Sequence, residues 1–413
     1  MRILWFTNTS SNAPLDKKNF RGGWISSLEN AISEKENIEL GVVFLHHKAF
    51  FSTEGNTSYY GIQEKFDNKF KRVVQRHLNL LSDNVNQDKL NSIIKKFKPD
   101  LIHIHGTESG FCQLLIKDDI PSVVSIQGNM TVCTHKFFSG FSKLELRSVT
   151  RLKDYFLKSD VFARYLMFKK KAEREQHYLK SAKHVIGRTD WDRNIMRVLV
   201  PNAKYYVGNE ILRPQFYDKK WSKKQNNEKF ILVSVIGSNI FKGLETILHA
   251  AKLLKQINFE FEWNIIGVQK NDLIYRAAVN LLKVRAKDIN INILGKLDAN
   301  TLINKLLESN LYVSVSHIEN SPNNICEAML LGMPIITSYS GGTSSILSHK
   351  KEGILLQDGD PWNLAGNIIE ISENYNLAMA MGRNARKTAM IRHASDNVVK
   401  EYIKIYKQIL DEK

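Results

Sequence analysis

The chain is poor in the residues that staple or interrupt a fold. Its three cysteines in 413 residues, Cys112, Cys133 and Cys326, stand at no metal-ligand or redox spacing, which excludes a disulfide scaffold and a thiolate zinc centre. So odd and sparse a set fits a reducing compartment, and each reads as a small buried hydrophobe. Prolines number only eight and no tract is of low complexity, so a long disordered tail is not expected. No solenoid period recurs. Long apolar runs are missing too. The longest stretch without a charge, Ala328–His349, is broken by Gly332, Pro334 and a Ser/Gly run, which excludes a membrane span there. The opening MRILWFTNTSSN has about five apolar residues, too few for a signal peptide. A soluble, cytoplasmic protein is expected. No G-x-G-x-x-G follows the first apolar run, which counts against a nicotinamide-dependent oxidoreductase.

Positive charge is present in excess, at a formal +17. Nucleic acid, an anionic membrane and anionic small molecules all reward such a balance. No helix-turn-helix, zinc or RRM signature accompanies it, so a nucleic-acid partner is not expected. Between Lys136 and Lys183 stand thirteen Lys and Arg against five Asp and Glu, a net +8. Phe, Leu, Tyr and Met alternate irregularly with these bases, and Lys169–Lys171 is the densest run. Two readings stay open: a solvated helical face, and an interfacial element drawn to anionic lipid.

Short β-rich runs recur with helical stretches between them. In the first half they are residues 2–7, 40–45, 100–105, 122–126 and 184–187; in the second, 230–236, 261–266, 291–295, 311–316 and 334–338. Such near-continuous apolar runs suit strands covered on both faces. The pattern predicts an α/β fold of two doubly wound parallel sheets. Residues 1–212 and 213–394 are the expected domains, with a polar hinge near Arg213–Asn227. The apolar stripe of the last helix (395–413) is expected to pack back on the first domain. Ligands of such sheets bind beyond the carboxyl ends of the strands, so the loops there carry the chemistry.

The stretch HIENSPNNICEAMLLGMPIITSYSGG, from His317 to Gly342, follows one of these strands. Ser321 is an expected N-cap, with Pro322 at the first helical position and Gly332 at the helix stop. Free N–H groups at that start make an anion site. Glu327 lies five residues beyond Pro322, roughly 7–8 Å along the axis at ~1.5 Å per residue. A diphosphate at the helix start leaves its ribose at about that reach. Glu319, on the other side, is placed for hydroxyls of whatever the phosphate carries. The spacing matches a nucleotide-diphosphate-sugar read from both ends.

Glu319-x7-Glu327 with NNICEAMLLGMPIITSYSGGTSSIL resembles the donor signature of retaining GT-B-fold glycosyltransferases, family 4. GRTDWDRN (187–194) and GNEILRPQFY (208–217) are similar to segments of bacterial polysaccharide-assembling members. The resemblance implies GT-B architecture, with Rossmann-like domains facing across a cleft. It implies a UDP-sugar donor and a saccharide or lipid-linked saccharide acceptor, with no metal and no cofactor. Peripheral association with anionic membrane would suit such an acceptor. By this resemblance Glu319 contacts the donor sugar and Glu327 the ribose. Asn323, Asn324, Ile325 and Ser238 fall at the donor, and Ser340–Thr343 borders the same pocket. The resemblance also brings the Gly22–Gly23 loop to the diphosphate.

Lys242, after a strand and before Gly243, is the expected cation for the diphosphate. The family usually carries an Arg five residues earlier, where this chain has Gly237. His103 and His105 end a strand on one face, and packing competes with an acceptor-side role for both. His105 joins Glu319 and Lys242 as a catalytic candidate. Gln127 stands on the acceptor side where many relatives carry a His, so no imidazole base acts there. A front-face retaining transfer tolerates this, because the leaving diphosphate accepts the acceptor's proton. Asp190/Asp192 and Asp358/Asp360 read as helix and turn capping rather than metal sites. A sugar-nucleotide epimerase of the same fold is the alternative enzyme.

Overall fold

The computed structural model describes residues 1–14, 23–63, 73–74, 85–116, 119–223 and 229–412. It divides into two compact units. One comprises Met1–Thr134, Leu152–Arg213 and His393–Lys413; the other comprises His135–Arg151 and Pro214–Arg392.

The first unit holds strands β1 (Arg2–Thr7), β2 (Glu39–His46), β3 (Phe50–Glu54), β4 (Thr57–Gln63), β5 (Leu101–His105), β6 (Ser122–Ser125), β7 (His184–Gly187) and β8 (Lys204–Val207). They form one sheet in the order β3-β4-β2-β1-β5-β6-β7-β8, parallel except where β3 turns back on β4. Along β1, alternate side chains feed two cores. Ile3 and Trp5 join Ile25, Leu28 and the terminal helix Ser395–Asp411 on one face, while Leu4 and Phe6 join Phe97, Phe111 and Leu179 on the other. That alternation is the period of an extended chain buried on both sides. The last helix contributes Tyr402, Ile405, Tyr406 and Ile409 to the first core.

The second unit holds β9 (Phe230–Val235), β10 (Phe261–Ile266), β11 (Ile291–Gly295), β12 (Leu311–Ser314), β13 (Ile335–Ser338) and β14 (Ile354–Leu356). All six are parallel, in the order β11-β10-β9-β12-β13-β14. The order reverses at β9, where the chain steps to β10 on one side and β12 on the other. Loops leaving β9 and β12 therefore emerge side by side, at the switch point where such sheets bind ligands.

One segment departs from the sequence-based division. Residues 135–151, expected in the first domain, pack in the second unit. Arg276 Nη1 donates to the Val149 carbonyl at 2.6 Å, and Phe137 is buried 6.2 Å from the Phe241 ring. The expected hinge lies partly at residues 224–228, outside the described residues.

Candidate functional site

The loop after β9 runs through exposed Gly237, Ser238 and Asn239 into the turn Ile240–Lys242. Gly243 follows with φ +75°, and a Cβ there would collide with the Val315 carbonyl. Only glycine brings these strand ends that close. The helix Leu244–Gln256 then begins with no side-chain cap.

The loop after β12 lies against it. The His317 amide donates to the Phe241 carbonyl at 2.9 Å. Two residues on, Glu319 accepts a hydrogen bond from Lys242 Nζ, with both side chains mostly buried. The Glu319 carbonyl in turn accepts from the Gly342 amide at 2.9 Å, so the Ser340–Thr343 loop abuts it as expected. Ser340 and Thr343 lock that loop through Thr343 Oγ1, which donates to the Ser338 carbonyl at 2.8 Å.

The helix Asn323–Leu331 ends at Gly332 with φ +83°, the expected stop. Its start differs from the sequence reading. Pro322, not Ser321, is the cap residue, extended at ψ 111° and without a side-chain cap, while the Ile325 amide donates to Asn324 Oδ1 at 3.1 Å. Asn324 instead ties the start to the sheet, its Nδ2 donating to the Val235 carbonyl at 2.7 Å. Ile325 is fully buried and Asn323 half-buried, with Asn323 Oδ1 unpartnered. Glu327 is buried in the second turn. Tyr312 on β12 senses both carboxylates. Burial first, then the charges of Glu327 and Glu319, push its hydroxyl well above the ordinary range, so it stays protonated.

His317 is the residue the sequence reading passed over. Its Nε2 lies 2.7 Å from Glu245 Oε1 and its Nδ1 lies 3.1 Å from Asp358 Oδ2. Burial works against its charge, but the hydrogen bonds and charges of Glu245 and Asp358 prevail and raise its pKa. Asp360, two residues beyond, caps the helix Pro361–Glu373 by accepting from the Asn363 amide at 3.0 Å. Asp192 forms a capping box with Thr189, again the capping role expected of it.

In the first unit, Gly23 is the N-cap of the helix Trp24–Ser33, with no side-chain cap, while Gly22 lies outside the described residues. His103 and His105 do lie together, with ring centroids 3.7 Å apart. Neither is open to an acceptor. Both are fully buried, and His103 is engaged by Tyr406 Oη at 2.7 Å and Ser125 Oγ at 2.6 Å. The His105 ring sits between Trp5 and Trp24, with centroids 4.5 and 5.7 Å away, and its nitrogens are unpartnered. Burial holds His103 down to about 3 and His105 well below its ordinary value, so both are neutral core groups. The acceptor-side reading of His103, and the catalytic reading of His105, are corrected on this ground. Gln127 lies half-buried in the loop after β6, where Gly128 donates to Glu108 Oε1 at 3.0 Å.

A cavity of about 670 Å³ in the second unit opens elsewhere, at the carboxyl end of the helix Asn323–Leu331. Trp221, Tyr375 and Arg383 line it, and no donor-loop residue does. The candidate donor residues lie at the strand ends instead: the mostly buried Lys242–Glu319 pair, a helix start whose cap residue is a proline, and the Glu327 carboxylate one turn inside.

Two parallel-sheet Rossmann-like units give the chain a GT-B fold. Residues 215–388 match the family of glycosyl transferases group 1. An uncharacterized glycosyltransferase of Methanocaldococcus jannaschii is 27% identical over 188 residues, 44% of this chain and 46% of that protein. The amylovoran biosynthesis glycosyltransferase of Erwinia amylovora is 23% identical over 189 residues, again 44% and 46%. The chain thus spans about half the length of the curated relatives it matches. Sucrose-phosphate synthase from Thermosynechococcus elongatus superposes over 100% of both chains with a TM-score of 0.73 at 14% identity. Anabaena HepE in complex with UDP covers 99% of this chain and 100% of its own, with a TM-score of 0.63 at 13% identity. At such identities the likeness establishes the fold.

Proposed function

We propose that the protein transfers a sugar, with retention of configuration, from a UDP-sugar to a saccharide or lipid-linked saccharide in bacterial surface-polysaccharide synthesis. The observation that carries this reading is the Lys242–Glu319 pair, brought together by two separate loops, with Glu319 four residues before the helix Asn323–Leu331. The HepE complex with UDP supports the donor class, and the amylovoran relative supports the polysaccharide role.

In this reading the diphosphate competes for Lys242 and draws it from Glu319, which frees the carboxylate for the sugar hydroxyls. The C1–O bond to the diphosphate breaks, and the acceptor oxygen bonds C1 on the same face. The acceptor's proton passes to a departing phosphate oxygen, so Gln127 is not needed as a base. Lys242 and the amides of the first helical residues, Asn323 and Asn324, meet the charge that grows on the leaving group. Glu327 accepts from the ribose hydroxyls. No step requires a metal.

The experiment is a thermal-shift panel of UDP, GDP and ADP and their sugars. A nucleotide at 100 times its Kd adds about 2.7 kcal/mol of stability. No shift with any nucleotide overturns the reading; turnover of the nucleotide-sugar without acceptor would make the protein an epimerase instead.

Peripheral contact with an anionic bilayer belongs to the same proposal. No helix among the described residues is long and apolar enough to cross a membrane. In the Lys169–Lys171 run, Lys169 is exposed 3.9 Å from Glu173 and Lys170 and Lys171 are half-buried, so the run offers less to a bilayer than the helix before it. The short helix Leu152–Phe156 has no buried residue and exposes Leu152 by 79%, Tyr155 by 61% and Phe156 by 70%. Lys153 and Lys158 flank these side chains, the pairing of apolar wedge and cation that an anionic lipid surface rewards.

A further inference from the structure

His317 presents both ring nitrogens to carboxylates, Glu245 from the helix Leu244–Gln256 and Asp358 from the loop after β14. A carboxylate only accepts, and a neutral imidazole donates from one nitrogen alone. Satisfying both contacts takes an imidazolium. The ring is buried, and the backbone of two glycines closes around it. A Cβ on Gly140 would fall 2.6 Å from Glu245 Oε1 and 2.8 Å from His317 Nε2, while Gly359 approaches the ring from the β14 side. The charged groups facing the ring among the described residues are Glu245 and Asp358; Gly140 and Gly359 bring backbone only.

This cation is tied to both donor loops. Glu245 stands three residues beyond Lys242, and Glu319 two residues beyond His317. The His317 amide is bonded to the Phe241 carbonyl, next to Lys242. Glu319 and Lys242 thus meet on a platform whose members are pinned at one buried point.

We propose that the His317 side chain, clamped between Glu245 and Asp358, is a positioning residue that holds the Glu319 loop against the Lys242 loop in the geometry for transfer. The inference rests on the donor-site reading above. Its consequence is a proton requirement. As pH rises through the raised pKa of His317 the imidazolium is lost, one carboxylate loses its donor, and the two loops are free to part.

The test compares wild type with His317→Gln, and with the double variant His317→Gln/Glu245→Gln, which removes the uncompensated buried carboxylate. UDP binding is read by thermal shift, kcat and KM are read from pH 6 to 9, and the histidine ring nitrogens of wild type are titrated by NMR. Expected are a kcat lower by about ten- to a hundredfold in His317→Gln, the range for losing a charged hydrogen-bond partner, with UDP affinity within a few-fold of wild type. The alkaline fall of wild-type kcat should coincide with a histidine resonance absent from His317→Gln, and that variant's profile should be flat in this range. The double variant should recover part of the loss. A wild-type His317 that titrates below its ordinary pKa, or a variant that keeps both the kcat and the alkaline limb of wild type, overturns the clamp. Failure of wild type to bind any nucleotide strikes the donor reading instead, and the NMR titration, which needs no substrate, still decides the charge on His317.

Discussion

Gly341 stands so close to Glu319 that an added Cβ would collide with the Glu319 carbonyl oxygen. Its φ of +55° is also one that side chains rarely adopt. Gly341→Ala is therefore expected to push the Glu319 loop out of place. Turnover should fall by about tenfold or more, while nucleotide binding changes little. Wild-type kcat in a folded Gly341→Ala variant would show that the position of this loop is immaterial.

Glu319→Ala and Glu327→Ala should separate two functions. Each removes a charged acceptor worth roughly 1.5–3 kcal/mol, a ten- to hundredfold effect. For Glu327 it is expected in UDP binding itself. For Glu319 it is expected in turnover with the sugar donor, with free UDP bound as before. Equal UDP affinity in both variants and wild type would remove Glu327 from the ribose.

Lys242→Ala should cost more turnover than donor binding, because its charge meets the diphosphate most strongly as the sugar leaves. The place of the usual Arg is vacant: a Cβ on Gly237 meets nothing within 4 Å. Gly237→Arg should fold, and in the Lys242→Ala background it should return part of the lost kcat. A double variant no faster than Lys242→Ala would mean that this loop does not face the leaving group.

Two neutral histidines in one core give the first unit an acid weakness. An unfolded histidine takes up a proton near 6.5, whereas folded His103 resists protonation down to about 3. The stability this gives is complete above about 6.5 and is lost as pH falls through that window. His105→Phe removes one of the pair without stranding a partner. It should move acid unfolding to lower pH, at a cost near neutrality of no more than ~1.5 kcal/mol, and keep transferase turnover. Circular dichroism melts at graded pH check the first point; loss of kcat in the folded variant would restore a catalytic part to His105.

Liposome sedimentation tests the exposed helix. Wild type should pellet with anionic vesicles and be released by salt. The triple variant Leu152→Ser/Tyr155→Ser/Phe156→Ser should stay in the supernatant. Equal recovery with neutral and anionic vesicles, or an unchanged triple variant, would leave these residues as ordinary surface.

Much of this architecture is legible from periodicity, for a physical reason. Strands buried on both faces, such as β9 with FILVSV, read as unbroken apolar runs, and ten of them are visible that way. Four strands do not. The edge strand β3, FFSTE, has no buried residue; β4, TSYYGIQ, is buried but mixes polar and apolar residues; β8 at the other edge has one buried residue, and β14 is only three residues long. Within the site, Glu319, Lys242 and Glu327 are readable because each stands at a fixed offset from a strand end or helix start. His317 is not, since its partners lie 72 and 41 residues away and nothing local marks the pairing. The two buried histidines misled for a related reason: one face of a strand end suits a core as well as a cleft. The helix start at Pro322 shows the limit of cap rules, since an extended proline displaced the expected serine by one residue.

The terminal helix Ser395–Asp411 has a consequence for synthesis. The core face that includes Trp5, Trp24 and Leu40 is closed by Tyr402, Ile405 and Tyr406, which leave the ribosome only after the whole of the second unit. The second unit, ending at Arg392, is complete before that face is covered. At about 5–20 residues per second, the 181 residues between Arg213 and the helix take roughly 9–36 s to make. For that interval the nascent first unit presents an open apolar sheet face, a substrate for chaperones and a site for premature association. A chain cut short before residue 395 would keep that exposure for good.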